Sequence, residues 1–219
     1  MRVAVNFPYF IPYTGYFRLL ASTDVFVLFD CVPFPRRGYV HRNQLPDENM
    51  QAKWFTLPLN KSPRDTHIKD MTFVDGIQDV ITSETRRFPI LQTEHAQQHP
   101  LLKQCLSPQA DLVDYLEATL KLTAELLDLP VNIVRSSTLP IDRELKGESR
   151  VLSIVECLGG SHYINAPGGR HLYDVDKFKA HGIDLSYLEP YQGNTWSILH
   201  RLLTEDPSMI KKDIHQQGL

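Results

Sequence analysis

The most constraining feature of this 219-residue chain is an unbroken apolar run, Val-Phe-Val-Leu-Phe, at 25–29. A strand without alternating polar residues is covered on both faces, which is typical of a parallel sheet. A short β-prone run at 2–5 precedes it, and a helical stretch at about 14–22 lies between the two. The opening of the chain therefore predicts a βαβ unit of the Rossmann-like or nucleotidyltransferase-like kind.

The rest of the chain extends this pattern. Further strands are predicted at 54–59, 131–135, 162–165 and 184–189. Further helices are predicted at about 77–87, 90–106, 111–127, 149–158, 174–181 and 195–204. We therefore expect a single α/β domain over 1–219 with a mostly helical insertion at about 60–130. The strands near 3–6, 25–29, 132–135 and 162–165 should be parallel members of one sheet.

Charge and composition exclude several classes of protein. The formal charge is -3 at pH 7, so the basic footprint of a general nucleic-acid binder is missing. No run approaches the roughly 18 apolar residues of a membrane span, and the first residues lack the apolar stretch of a secretory signal. Cys31, Cys105 and Cys157 form no Cys-x-x-Cys pair, which argues against a disulfide framework or zinc knuckle. We expect a cytoplasmic protein.

The first βα loop is crowded with aromatic residues and proline around a single glycine, Gly15. Ligands of open α/β sheets bind at the carboxyl ends of strands, where this loop lies. We expect Tyr9, Tyr13 and Tyr16 to stack on the ring of a sugar or base. An aromatic corner packed beneath the sheet is the alternative interpretation. The loop has no Gly-x-Gly-x-x-Gly, which excludes a dinucleotide fingerprint.

Asp30 closes the apolar strand and is expected at the same edge, where its carboxylate is a candidate general base. A turn-forming aspartate is the alternative. Cys31 is a weaker candidate, as a nucleophile, because no histidine is adjacent in sequence. Ser137, with its neighbouring hydroxyls, follows the strand at 131–135 and is a candidate substrate contact.

Basic residues cluster in the predicted loop at 33–44. This segment contains Arg36, Arg37, His41, Arg42 and Asn43 and carries no acid. Clustered guanidiniums repel one another unless an anion lies among them, and their shape matches phosphate or carboxylate. We therefore expect an anion site here, with a solvated basic loop as the alternative.

A second basic pair, Lys146 and Arg150, stands at the start of the helix at 149–158. A phosphate at a helix start is favoured by the helix dipole and the free amides, so this pair is a second candidate anion site. Neutralisation by Glu144 and Glu148 is the alternative. Both basic clusters follow predicted strands, so we expect them to face one cleft.

Two further glycines, Gly168 and Gly169, would let the backbone approach a ligand. His95 and His99 are spaced like metal ligands, but Glu94 precedes the first histidine instead of following it, so no metal site is expected.

The sequence resembles the WbqC-like family, small bacterial proteins associated with the biosynthesis of O-antigen and other surface glycans. The likeness lies in the blocks at 8–30, 36–45, 146–160 and 163–185. Three polar positions of the family pattern are occupied here by Phe7, Cys31 and Pro33. The resemblance implies modification of amino sugars by transfer of glycine or another acyl group.

A more distant likeness is to nucleotidylyltransferases of the His-x-Gly-His type. The segment at 12–16 occupies the place of their motif, with tyrosine at both histidine positions. The functional hypothesis is therefore a cytoplasmic transferase that acts on an amino sugar carried on a nucleotide or phosphate. It needs no cofactor and is a possible homodimer. The alternatives are a nucleotidyltransferase, which would need magnesium, and a catalytically silent ligand-binding or scaffold protein.

Overall fold

The computed structural model describes residues 1–108 and 111–216. The strands in these residues are β1 Arg2–Asn6, β2 Val25–Leu28, β3 Arg42–Pro46, β4 Ala52–Thr56, β5 Ile133–Arg135, β6 His162–Asn165 and β7 Asp184–Tyr187. The α-helices are α1 Thr14–Ala21, α2 Ile77–Thr85, α3 Glu94–Gln98, α4 Pro100–Cys105, α5 Leu112–Leu126, α6 Gly147–Cys157, α7 Val175–Ala180, α8 Ile198–Thr204 and α9 Pro207–Gln216. None of the helices in the described ranges has the length and hydropathy that a bilayer span needs.

Five of the strands form one parallel sheet in the order β5-β2-β1-β6-β7. Val3 lies opposite Val25 on one side of β1 and opposite Tyr163 on the other. The predicted α/β class and the parallel arrangement of the four predicted strands are therefore confirmed. β1 is the central strand, with β2 and β5 on one side of it and β6 and β7 on the other.

Helices cover both faces of the sheet. Val3, Val5, Val25 and Val27 pack against α6 and α7 on one face. Ala4, Phe26 and Leu28 belong to a larger core on the other face, which includes residues of α1, α5, α8 and α9. The lack of alternation in the sequence is thus explained, because alternate side chains of β1 and β2 enter two different cores.

The segment at 33–44 was expected to be a loop, but its last residues begin β3, which pairs antiparallel with β4. Arg42 and Asn43 therefore lie on a strand. Arginine, asparagine, glutamine and proline have no strong strand preference, so the hairpin depends on pairing with 52–56. The tight turn between the strands is held by Asp47, whose carboxylate accepts the backbone N–H groups of Asn49 and Gln51.

The helix expected at 90–106 is divided into α3 and α4. His99 has extended backbone angles because Pro100 disfavours a helical conformation in the residue before it. The His99 Nδ1 atom accepts the Leu101 N–H at 3.2 Å and caps α4. The final helix, α9, was not predicted from the sequence.

Arg201 of α8 joins the C-terminal helices to the first βα loop. Its side chain is 7% exposed and forms ion pairs with Glu205 and Asp213. Its Nη1 also donates to the Thr14 Oγ1 at 2.8 Å and to the Tyr191 hydroxyl at 3.0 Å. Because Thr14 begins α1, this guanidinium fixes the start of α1 against α8 and α9.

We expect Arg201→Ala to lower the free energy of unfolding by about 3 kcal/mol, because it leaves two partly buried carboxylates without their cation. The control is Arg2→Ala, which removes an ion pair with Asp24 whose side chains are 49% and 44% exposed. A change of about 0–1 kcal/mol is expected there. Urea denaturation measures both values, and equal losses would contradict the central role of Arg201.

Candidate functional site

The strand order reverses between β1 and β6. The chain passes from β1 through α1 to β2 on one face of the sheet. It reaches β6 through α6, which lies on the opposite face. Such a point leaves a crevice beyond the carboxyl ends of the two strands, where open α/β sheets bind ligands. A cavity of about 520 Å³ lies here and is called the first cavity; among the residues that line it are Asn6, Phe7, Tyr9, Tyr13, Gly15, Tyr16, Gly147, Glu148, Asn165, Pro167, Gly168 and Gly169.

An asparagine at the end of each of these strands contributes to the first cavity. The Oδ1 atoms of Asn6 and Asn165 each accept the N–H of the following residue at 2.8 Å. Neither amide nitrogen has a hydrogen-bond partner in residues 1–108 and 111–216. Gly169 makes room for Asn165, because a Cβ at position 169 would lie 2.2 Å from the Asn165 Nδ2. The two asparagines therefore present N–H donors at the switch point.

The start of α6 forms another part of the wall. Gly147 has a φ of +53°, a left-handed conformation that favours glycine, and it lines the first cavity. Lys146 precedes it and provides no side-chain cap. The Glu148 carboxylate is already paired within the protein: it accepts a hydrogen bond from the Asp174 N–H and forms an ion pair with Lys177 at 2.8 Å. The positive end of the α6 dipole thus adjoins the cavity.

The loop after β1 is held in a strained conformation. Ile11 has a φ of +38°, which is unusual for a β-branched residue and especially so before proline. Its carbonyl accepts the Asn43 Nδ2 and the Ser197 Oγ, both at 2.8 Å and both buried. Strain of this kind costs about 1–3 kcal/mol and persists only where surrounding contacts fix it. Asn43 and Ser197 therefore set the positions of Tyr9 and Tyr13.

The three predicted tyrosines occupy different positions. Tyr13 folds over Gly15, where a Cβ would lie 2.4 Å from its ring, and Tyr13 is 36% exposed. Tyr9 packs between the rings of Phe7, Tyr16 and Tyr39. Tyr16 is 3% exposed, and its hydroxyl donates to the Phe7 carbonyl at 2.9 Å. Tyr16 therefore supports the loop, as in the aromatic-corner alternative, although all three tyrosines line the first cavity.

A second cavity of about 530 Å³ adjoins the first and shares Tyr9, Tyr13 and Pro167 with it. It is called the second cavity, and its other lining residues are Pro12, Tyr39, Asn43, Gln44, Pro190, Tyr191 and Thr195. The shared residues form a partition, so the site has two compartments with a common wall.

Asp30 lies in a buried network between the ends of β2 and β5. Asp30 is 1% exposed. Its Oδ1 accepts the Ser136 hydroxyl and the Ser137 N–H, both at 2.8 Å, and its Oδ2 accepts the Ser137 hydroxyl at 2.5 Å. Neither Asp30 nor Ser137 lines the two cavities. The carboxylate therefore joins the end of β2 to the residues after β5, which is neither of the two roles expected for Asp30, and its role as a general base stays a prediction.

Arg150 connects that network to α6. Its Nη1 donates to the Cys31 carbonyl at 2.6 Å and lies 3.3 Å from the Cys31 sulfur, and its Nη2 donates to the Arg143 carbonyl. Cys31 in turn lies 3.0 Å from the Ser136 hydroxyl. The guanidinium is therefore part of the scaffold that holds the start of α6 beside β2.

Two arginines of the first basic cluster, Arg36 and Arg42, make contacts within the protein, and the anion site expected among these residues stays a prediction. Arg36 donates to the carbonyls of Ser62 and Pro63. Arg42 lies 4.1 Å from the centre of the Trp54 ring and donates to the Gly38 carbonyl.

His41 does not add to the basic character of this cluster near neutral pH. Burial, aided by the charge of Arg42, lowers the pKa of His41 to about 4. The imidazole is therefore neutral in the folded protein at pH 7. Its Nδ1 is buried with no partner among the described residues.

Arg37 and Lys146 are exposed and make no hydrogen bond or ion pair within the described residues. Neither side chain lines the cavities, although Lys146 directly precedes Gly147. The shared cleft for the two basic clusters stays a prediction. Over the described ranges, no group of three or more histidine, cysteine, aspartate or glutamate side chains could hold a metal ion.

Comparison with known proteins assigns the family. The model of the WbqC-like protein family matches residues 7–205. The chain belongs to the WbqC-like protein family. An uncharacterized protein of Mycobacterium tuberculosis, Rv1507c, is 29% identical to this WbqC-like chain over 75 residues, or 34% of the chain and 32% of that protein. The chain thus matches only about a third of the length of that relative, and no solved structure gives a significant match.

Several site residues of this WbqC-like protein were missed in the sequence. Asn6 and Asn165 are the polar residues that end two apolar strands, which is the signal that could have identified them. Gly147, Tyr39 and Gln44 carry no comparable local signal. They lie at the site only because the tertiary structure places the start of α6 and the segment around β3 there.

We expect the WbqC-like protein to lose stability between about pH 6.5 and pH 4 partly through His41. The unfolded chain binds a proton near pH 6.5, whereas the folded protein binds it only near pH 4. His41→Phe should reduce the slope of unfolding free energy against pH in this window by up to about 1.4 kcal/mol per unit. His171→Phe, at an exposed histidine, is the control, and an unchanged slope in His41→Phe would refute the assignment.

Proposed function

We propose that this WbqC-like protein transfers glycine or another acyl group to an amino sugar carried on a nucleotide or phosphate. The reaction would serve surface-polysaccharide biosynthesis such as that of O-antigen, and its three free cysteines fit a cytoplasmic location. One observation carries the proposal. Two cavities of about 520 and 530 Å³ meet at Tyr9, Tyr13 and Pro167. An amino sugar carried on a nucleotide or phosphate has a charged part and a ring, and two adjoining cavities suit these two parts.

Two features of the first cavity favour an anion, and the carboxylate in its wall, Glu148, is paired with Lys177. The start of α6 adjoins it, and the amide nitrogens of Asn6 and Asn165 have no partner in the described chain. Backbone amides at a helix start bind phosphate together with the helix dipole. We assign the nucleotide or phosphate part of the substrate to this cavity. Lys146 and Arg37, both exposed, are proposed to bind phosphates that extend beyond it.

Asp30 is proposed as a positioning residue. Its hydrogen bonds fix Ser136 and Ser137 to the end of β2. The carbonyl of the next residue, Cys31, accepts a hydrogen bond from Arg150 of α6. The carboxylate therefore helps to place the α6 start at the first cavity. Its contribution to activity would pass through substrate affinity, and the proton acceptor for the attacking amine would be another group.

The test is a melting experiment with nucleotide sugars and no added metal, using the diphosphate sugars of uridine, thymidine and guanosine. A ligand at 100 times its Kd stabilises the folded protein by about 2.7 kcal/mol. For a domain of this size, we expect at least one of the three to raise the Tm by roughly 5–10 °C.

Variants at Gly168 locate the binding. A Cβ at this position meets no atom within 4 Å, so Gly168→Ala should fold and respond like the wild type. Gly168→Leu adds a larger side chain to the wall of the first cavity and should abolish the shift. If none of the three sugars shifts the wild type, or if Gly168→Leu responds fully, the proposal fails. A response only to nucleoside triphosphate with magnesium would favour a nucleotidyltransferase instead.

A further inference from the structure

The second cavity differs in chemistry from the first. Four tyrosines, Tyr9, Tyr13, Tyr39 and Tyr191, line it together with Pro12, Pro167 and Pro190. The remaining lining residues are two amides and Thr195, and none of the described residues in this wall is charged. A neutral aromatic compartment with polar groups suits an uncharged ligand that has both an apolar face and hydroxyl groups.

Three phenols converge in this compartment. The rings of Tyr9 and Tyr39 lie 5.7 Å apart. Burial raises the pKa of Tyr9, and the nearby Tyr39 and Tyr13 phenols raise it further. Burial also raises the pKa of Tyr13; Arg18 opposes this effect, and Tyr39 adds to it. These two phenols therefore stay protonated near neutral pH.

The polar groups of the compartment are available to a ligand. The hydroxyls of Tyr9, Tyr13 and Tyr39 make no hydrogen bond within residues 1–108 and 111–216, and the same holds for the side-chain amide of Gln44. The Asn43 amide, in contrast, is committed to the carbonyls of Phe10 and Ile11. A hydroxyl both donates and accepts, so these groups can pair with either function of a ligand.

The aromatic wall is held in place by its surroundings. Tyr39 packs against Trp54, with ring centres 5.6 Å apart, and the Arg42 guanidinium covers Trp54 at 4.1 Å. The Phe10 N–H donates to the Tyr39 carbonyl at 3.0 Å, which ties this residue to the strained loop at Ile11. Rigid support reduces the conformational entropy lost on binding.

We infer that the second cavity binds the uncharged pyranose ring of a sugar, with its apolar face on the tyrosine rings and its hydroxyls paired to Tyr9, Tyr13, Tyr39 and Gln44. The inference rests on the proposed function and deepens it by placing the sugar in this compartment and the phosphate in the first. It differs from the sequence expectation, because Tyr16 is replaced by Tyr39 and Gln44 as ligand contacts.

The test is saturation-transfer NMR with N-acetylglucosamine as the probe. The wild type should transfer saturation to the ring protons of the sugar. Tyr39→Phe removes one hydroxyl and should weaken binding roughly 2- to 12-fold, and Gln44→Leu should act similarly. Tyr187→Phe is the matched control, because the Tyr187 hydroxyl is buried, has no partner among the described residues, and lies outside this cavity.

Gly168→Leu separates this inference from the proposed function, because its side chain is added to the first cavity only. It should retain binding of N-acetylglucosamine while losing the response to nucleotide sugars. Absence of saturation transfer in the wild type, equal binding by wild type, Tyr39→Phe and Gln44→Leu, or loss of sugar binding in Gly168→Leu would each overturn the inference. Sugar binding without any nucleotide-sugar response would instead refute only the proposed function.

Discussion

The structure depends on β1 as the central strand of a parallel sheet that is covered on both faces. Its pairing with β2 on one side and β6 on the other is possible only because alternate apolar side chains enter two separate cores. The helices that connect the two halves therefore lie on opposite faces. The divergence of these connections opens the crevice at the carboxyl ends of β1 and β6, so the position of the site follows from the burial of one short strand.

The local signals in the sequence were sufficient for the sheet but only partly for the site. Apolar runs such as 25–29 are determined by burial, and their strands are where the sequence predicts them. β3 was missed because its polar residues become a strand only through pairing with β4. The carbonyl partners of two arginines, Ser62 for Arg36 and Cys31 for Arg150, were not foreseen because they are 26 and 119 positions away in sequence. Contacts of that range have no signature near the residue itself.

The site combines a rigid frame with unsatisfied donors. Ile11 is held in a strained conformation by Asn43 and Ser197, and the buried Asp30 network supports α6 through Cys31 and Arg150. These groups are hydrogen-bonded within the protein, apart from the buried Arg150 Nε atom, whereas Asn6 and Asn165 keep amide nitrogens without partners in the described chain. The groups that support the site are thus distinct from the groups that are free to bind a ligand. This distinction underlies the proposal of two compartments, one for phosphate and one for a neutral ring.

The central claim is that a phosphorylated ligand binds where the strand order reverses. The most direct measurement is a titration of the asparagine side-chain amides by NMR, with a nucleotide sugar added to protein labelled with nitrogen-15 at asparagine. Asn6 and Asn165 resonances, assigned by single substitution to aspartate, should shift together and saturate at one ligand concentration. Asn60, whose amide is hydrogen-bonded to Thr72 and Phe73 outside both cavities, should not move. Shifts confined to other asparagines, with Asn6 and Asn165 unchanged, would contradict the account.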